Sequence, residues 1–180
     1  MATCQTFPPA PMLSSGDNVL DISELVVYNE SERKCMMVIG FTGTRDGMTD
    51  AQWDKVAELL DGVREDDVVE HGGCDGADLQ FDTICQLHLY EQPHTIIRPG
   101  PYTGLSDELC LRMGTEVKGR MPYLKRNQAI VDDADRMIAC PSSAEEQFRG
   151  SGTWATIRYA RKTKTSLTIV WPDGSTTSTD

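Results

Sequence analysis

Between residues 36 and 171 short apolar runs alternate with longer segments of helical period. Met36–Phe41 is an unbroken apolar run but for Gly40, the pattern of a strand buried on both faces. A helix follows from Thr49, with Gln52 three residues on as its capping-box partner. Trp53, Val56, Ala57 and Leu60 fall on one face of it, and Gly62 ends it. Val68 and Val69 begin a second strand. The next helix opens near Ala77 and runs to about Tyr90, with Ala77, Phe81, Ile84, Cys85 and His88 on one face. Thr95–Ile97 is a third strand. Residues 98–121 hold Pro99, Gly100, Pro101, Gly104, Gly114 and Gly119, so loops dominate there. A helix from near Pro122 carries Tyr123, Leu124, Ile130, Val131 and Ala134 on its apolar face. At about 100° per residue Asn127 falls near the middle of that face and Arg126 on its flank. Met137–Cys140 and Leu167–Trp171 are further strands, with a helix between them.

This alternation predicts an α/β fold: a Rossmann-like, doubly wound, mostly parallel sheet in a single domain over residues 36–174. Residues 1–35, with Pro8, Pro9, Pro11 and a Ser-Ser-Gly-Asp run, read as a flexible arm. Residues 175–180 read as a disordered tail. Ligands of such sheets bind beyond the carboxyl ends of the strands.

Composition narrows the function. The 180 residues suit one domain with a sizeable core. A net charge of −11 argues against an extended nucleic-acid surface, though a few local arginines can still hold a small anion. No long apolar run is present, so no membrane span is expected, and the N-terminus lacks a secretory pattern. The six cysteines form no CxxC and no zinc spacing with the three histidines. A reduced, cytoplasmic setting is the simplest account, with no metal and no resident cofactor.

Two glycine-rich turns carry the candidate chemistry. His71-Gly72-Gly73-Cys74-Asp75-Gly76-Ala77-Asp78 follows a strand and opens a helix. Arg149-Gly150-Ser151-Gly152-Thr153-Trp154 also opens a helix. Glycines let a backbone approach an anion, and a helix start offers free N–H groups. The first turn matches neither the dinucleotide fingerprint nor a Walker A loop, and a plain packing turn competes evenly with anion binding. Asp78 either stabilises the helix dipole or meets a sugar hydroxyl or water. Arg126 offers a bidentate phosphate contact or a surface ion pair, and Asn127 ties down a loop or reads a ligand. Arg112, Lys118, Arg120 and Lys125 make this segment basic in an acidic chain. Gly43, Thr44 and Arg45 close the first strand at the same edge.

The order strand-TGTR, HGGCDGAD, RN, apolar strand, RGSGT resembles the SLOG superfamily of Rossmann-like nucleotide-ligand binders, and its YspA-like branch in particular. The superfamily includes the LOG phosphoribohydrolases and DNA-processing protein A. The resemblance spans residues 36 to 171. It implies a nucleotide-derived small molecule as partner, held by Gly43, Thr44, Arg45, Gly72, Gly73, Gly76, Asp78, Arg126, Asn127, Gly150, Ser151, Gly152 and Thr153. A homodimer or higher homo-oligomer is implied as well. In LOG enzymes a glutamate in the second motif acts in N-glycosidic cleavage, and Thr156 stands at its place here. Asp78 is the one motif carboxylate that could substitute as a catalytic group. Three functions follow in order of expectation: a sensor or signal-processing domain that binds a nucleotide derivative, a nucleotide N-glycosidase, and a DNA-binding protein of the DNA-processing type.

Overall fold

The computed structural model describes residues 36–87, 93–101 and 115–179, and the compact unit they belong to is Met36–Asp180. In chain order the elements are β1 (Val38–Gly43), α1 (Asp50–Leu59), β2 (Val68–His71), α2 (Ala77–Leu87), β3 (His94–Ile97), β4 (Thr115–Val117), α3 (Tyr123–Asp133), β5 (Arg136–Cys140), α4 (Gly152–Thr163), β6 (Ser166–Val170) and β7 (Thr176–Thr179). They build one sheet in the order β4-β3-β2-β1-β5-β6-β7. All pairings are parallel except β6 with β7. The expected doubly wound α/β sheet is the observed one.

Two apolar layers sandwich the sheet. Val56, Leu60, Phe81 and Ile84 of α1 and α2 pack on Ile39, Phe41, Val69 and Ile138. Ile130, Val131, Trp154 and Ile157 of α3 and α4 pack on Met137, Ala139, Leu167 and Ile169 on the other face. Alternate residues of each strand therefore feed opposite layers, which is why these strands read as continuous apolar runs. Phe41 and Phe81 stack with ring centres 4.2 Å apart.

Helix α1 starts as its sequence predicts. Thr49 Oγ1 accepts from the Gln52 N–H, and Gln52 Oε1 accepts from the Thr49 N–H. The buried Gln52 amide also donates to the carbonyls of Pro141 and Val170, so this cap fastens the helix to the ends of β5 and β6.

Several expectations need correction. The tail read as disordered contains β7, which pairs with β6 through a turn at Pro172–Ser175, with Gly174 at φ +82°. Its Thr and Ser side chains suit an exposed edge strand, a pattern that hydrophobicity alone misses. The loop-dominated region contains β4. On α3 the faces are shifted: Arg126 is only 5% exposed, Asn127 is half-buried, and Leu124 is 63% exposed. The arm over residues 1–35 and His88 lie outside the described residues.

Neighbouring strands run β1 to β4 in one direction and β5 to β7 in the other, so the order reverses between β1 and β5. Beyond their carboxyl ends, where Gly43 is in register with Cys140, the connections diverge and leave a crevice.

Candidate functional site

A cavity of about 430 Å³ lies at this switch point. Of the sequence-predicted residues, Gly43, Thr44, Arg45, Gly72, Asp78, Arg126, Asn127 and Gly150–Thr153 line it together. Gly73 and Gly76 do not. Both take positive φ (+59° and +82°) and shape the turn behind the cavity wall.

Three N–H groups of the first glycine turn are engaged within the protein. Its Gly73 N–H donates to His71 Nδ1 at 3.2 Å, its Cys74 N–H to Asp78 Oδ2 at 3.1 Å, and the Ala77 N–H to the Thr44 carbonyl at 3.0 Å. Donors engaged by protein acceptors are not free to cradle a phosphate. The glycines are there for packing. A Cβ on Gly76 would stand 2.2 Å from the Arg45 carbonyl oxygen, and one on Gly43 2.3 Å from Ala77 Cβ. A Cβ on Gly72 would stand 1.3 Å from Arg126 Nη1, so the side chain of Arg126 lies directly across that residue.

Arg126 is thus the centre of the site. Its Nη1 donates to the Arg98 carbonyl at 3.2 Å and its Nη2 to Cys74 Sγ at 3.2 Å. Asp78 Oδ2 is 3.9 Å from Nη1. Its Nε is buried without a hydrogen-bond partner. The Tyr123 ring lies between two guanidiniums, with Arg45 Cζ 5.6 Å and Arg126 Cζ 6.0 Å from its centre. Arg98, whose carbonyl receives Arg126, is itself clamped by the carboxylates of Glu70 and Asp133. Glu70 is fully buried, and burial raises its pKa against the pull of Arg98.

The second glycine turn is open. Gly150 has φ +84° and nothing within 4 Å of where a Cβ would sit. Ser151 caps α4 by accepting from the Trp154 N–H at 3.2 Å. A helix start leaves its first N–H groups without intrahelical acceptors, so those of Gly152 and Thr153 remain for a ligand. The Thr153 hydroxyl is not available, because it donates to the Gly43 carbonyl at 2.7 Å. Asn127 fixes this turn from α3: its Nδ2 donates to Thr156 Oγ1 at 2.9 Å and to the Gly152 carbonyl at 3.4 Å. The looser role for Asn127, tying down a loop, is the one it performs.

Arg45, Arg126, Asp46 and Asp78 all line the cavity, so its charged lining balances and the helix start tips it toward anions. Asp78 already holds the Cys74 N–H and flanks Arg126. Burial and the Asp78 carboxylate push the Cys74 thiol pKa up, with Arg126 opposing. Sequence reasoning missed Tyr123 and Ser142 as lining residues. Tyr123 was the legible one, since it sits one helical turn before Arg126. Among the described residues no three His, Cys, Asp or Glu side chains gather to hold a cation, and no helix is long and apolar enough to cross a membrane.

No protein-family model matches the chain, and no curated protein does. Solved structures do match. DNA processing protein A from Helicobacter pylori, described for its single-stranded DNA binding mode, superposes with a TM-score of 0.51 at 19% identity, over 74% of this chain and 64% of that one. DNA processing protein A from Streptococcus pneumoniae gives 0.54 at 17% identity, over 74% and 50%. The fold is shared with DNA processing protein A. This chain spans less than two thirds of either structure's length. The likeness agrees with the expected Rossmann-like fold and does not single out the YspA-like branch. It also corrects the argument from charge. The expectation that extended nucleic-acid binding is disfavoured does not stand, because a protein with this fold binds single-stranded DNA. Net charge averages over the whole surface, whereas a strand meets only the local field of its groove.

Proposed function

We propose that the crevice binds a nucleotide unit of single-stranded DNA, with a phosphate set between Arg126 and the start of α4. The observation that carries this reading is Arg126 itself: a nearly buried guanidinium whose Nε has no partner, lining one cavity with an open, glycine-preceded helix start. A nearly buried cation with an unpaired donor is costly, and an anion in the cavity it lines would offset its charge. The shared fold with a single-stranded DNA binder supplies the carrier of that phosphate. Binding is favoured over cleavage. Asp78 is engaged in holding the Cys74 turn, and Thr156 is engaged with Asn127.

A free nucleotide is the second reading, favoured by a cavity of about 430 Å³ in a chain of net charge −11. Fluorescence anisotropy with labelled (dT)12, beside calorimetry with nucleoside mono- and diphosphates, separates the two. The DNA reading expects saturable (dT)12 binding that weakens roughly ten- to a hundredfold in a folded Arg126→Ala variant. Tight nucleotide binding without oligonucleotide binding would transfer the assignment to the second reading. Unchanged (dT)12 affinity in Arg126→Ala would remove the crevice from the account.

A further inference from the structure

Next to the crevice, α3 and α4 leave a second hollow of about 310 Å³ between their outer faces. Asn127 and Thr156, hydrogen-bonded at 2.9 Å, line both, so the hollow adjoins the crevice across that pair. Its walls are largely apolar, built from Leu124, Ala155 and Tyr159. Its charged lining is Arg158 and Lys162, with no carboxylate, in a chain of net charge −11. Lys162 has no ion-pair partner among the described residues. Arg158 is held by Glu146, 3.3 Å away, and by the Gln147 carbonyl at 3.0 Å.

Phe148 lies next to Gln147 in the chain and close to Arg158 in space. Gln147 beside it lines the crevice, and its ring lies 5.8 Å from the Arg158 guanidinium that lines the groove. The side chain is 76% exposed. A large exposed aromatic ring beside a cation is an arrangement on which nucleobases stack.

We propose that the α3–α4 groove is the second nucleotide subsite of the strand whose first unit occupies the crevice. The next base lies against Phe148 and the apolar groove wall, and the next phosphate meets Lys162. This rests on the single-stranded DNA reading above. The cations of the lining suit the phosphates of a nucleic acid, and the shared Asn127 and Thr156 place the groove beside the crevice.

The test uses the full chain, labelled (dT)12 and two exposed substitutions, Phe148→Ala and Lys162→Glu, with circular dichroism as the folding check. Phe148→Ala is expected to weaken (dT)12 binding roughly tenfold. Phe148→Trp keeps the affinity and reports the oligonucleotide by quenching. Lys162→Glu lowers the slope of log affinity against log salt by about 0.7 or more, one phosphate's share for a single strand. If Arg126→Ala abolishes binding while both groove variants bind (dT)12 as the native protein does, this inference is overturned and the crevice reading stands. If the native protein binds no (dT)12, both are overturned. If Lys162→Glu or Phe148→Ala instead shifts the molar mass by light scattering, the groove joins copies of the chain, which also overturns it.

Discussion

Gly72→Ala provides the sharpest test of how the site is built. The new Cβ would lie 1.3 Å from Arg126 Nη1, 2.3 Å from Cζ and 2.8 Å from Nη2, so the guanidinium must leave its place. It then loses the Arg98 carbonyl and Cys74 Sγ, and leaves Asp78 without its nearby cation. Hydrogen bonds of charged groups contribute about 1.5–3 kcal/mol each, so two at the lower figure give about 3 kcal/mol. For a domain of this size that is a fall in Tm of roughly 6–12 °C. The backbone is not the cause, because Gly72 does not occupy the left-handed region. The same substitution in an Arg126→Ala background should therefore cost nearly nothing, within about 0.5 kcal/mol. Urea unfolding of the native chain, the two single variants and the double variant measures that cycle. Additive effects, or a native-like Gly72→Ala variant that still binds (dT)12, would refute the placement of Arg126 across Gly72.

Two glycines separate packing from conformation: Gly76→Ala, with φ +82° and the Arg45 carbonyl 2.2 Å from its Cβ, should destabilise by more than Gly150→Ala, with φ +84° and open space, for which about 1 kcal/mol is expected in urea unfolding. Asn127→Ala should leave the Gly152 carbonyl and the Thr156 hydroxyl held only by each other, and weaken (dT)12 binding several-fold, read by anisotropy with the fold unchanged in circular dichroism. Asp67 provides a pH signature. Burial raises its pKa, but the Arg64 and Met37 N–H groups and the Arg64 guanidinium outweigh burial and leave it lowered. A carboxylate with a lowered folded pKa stabilises above its unfolded pKa and loses that contribution as pH falls through the folded value, so the loss falls below about pH 4. Urea midpoints between pH 6 and 3 should show this component in the native chain and lack it in Asp67→Asn.

The sequence by itself determined the sheet. Its apolar runs are buried on both faces, so local pattern and final environment agree, and β1, β2, β3, β5 and β6 were legible to within a few residues. The Thr49–Gln52 cap was legible because its partners are three residues apart. The edge strands β4 and β7 were not, since pairing on a single edge leaves no apolar signature in Thr176–Thr179. Only tertiary structure decided the site. Two similar glycine turns differ because one spends its N–H groups on His71, Asp78 and Thr44 and packs under Arg126, while the other stands open at the start of α4. The Thr44 carbonyl comes from the end of another strand, while His71 and Asp78 are local and their buried side chains are held against the loop by the fold around them. A helical wheel placed Asn127 at the centre of the α3 face and Arg126 at its flank, but the carbonyl of Arg98 and the bare backbone of Gly72 drew the arginine inward. Long-range contacts of this kind have no period along the chain, so the residues can be named from sequence and their roles only from the fold.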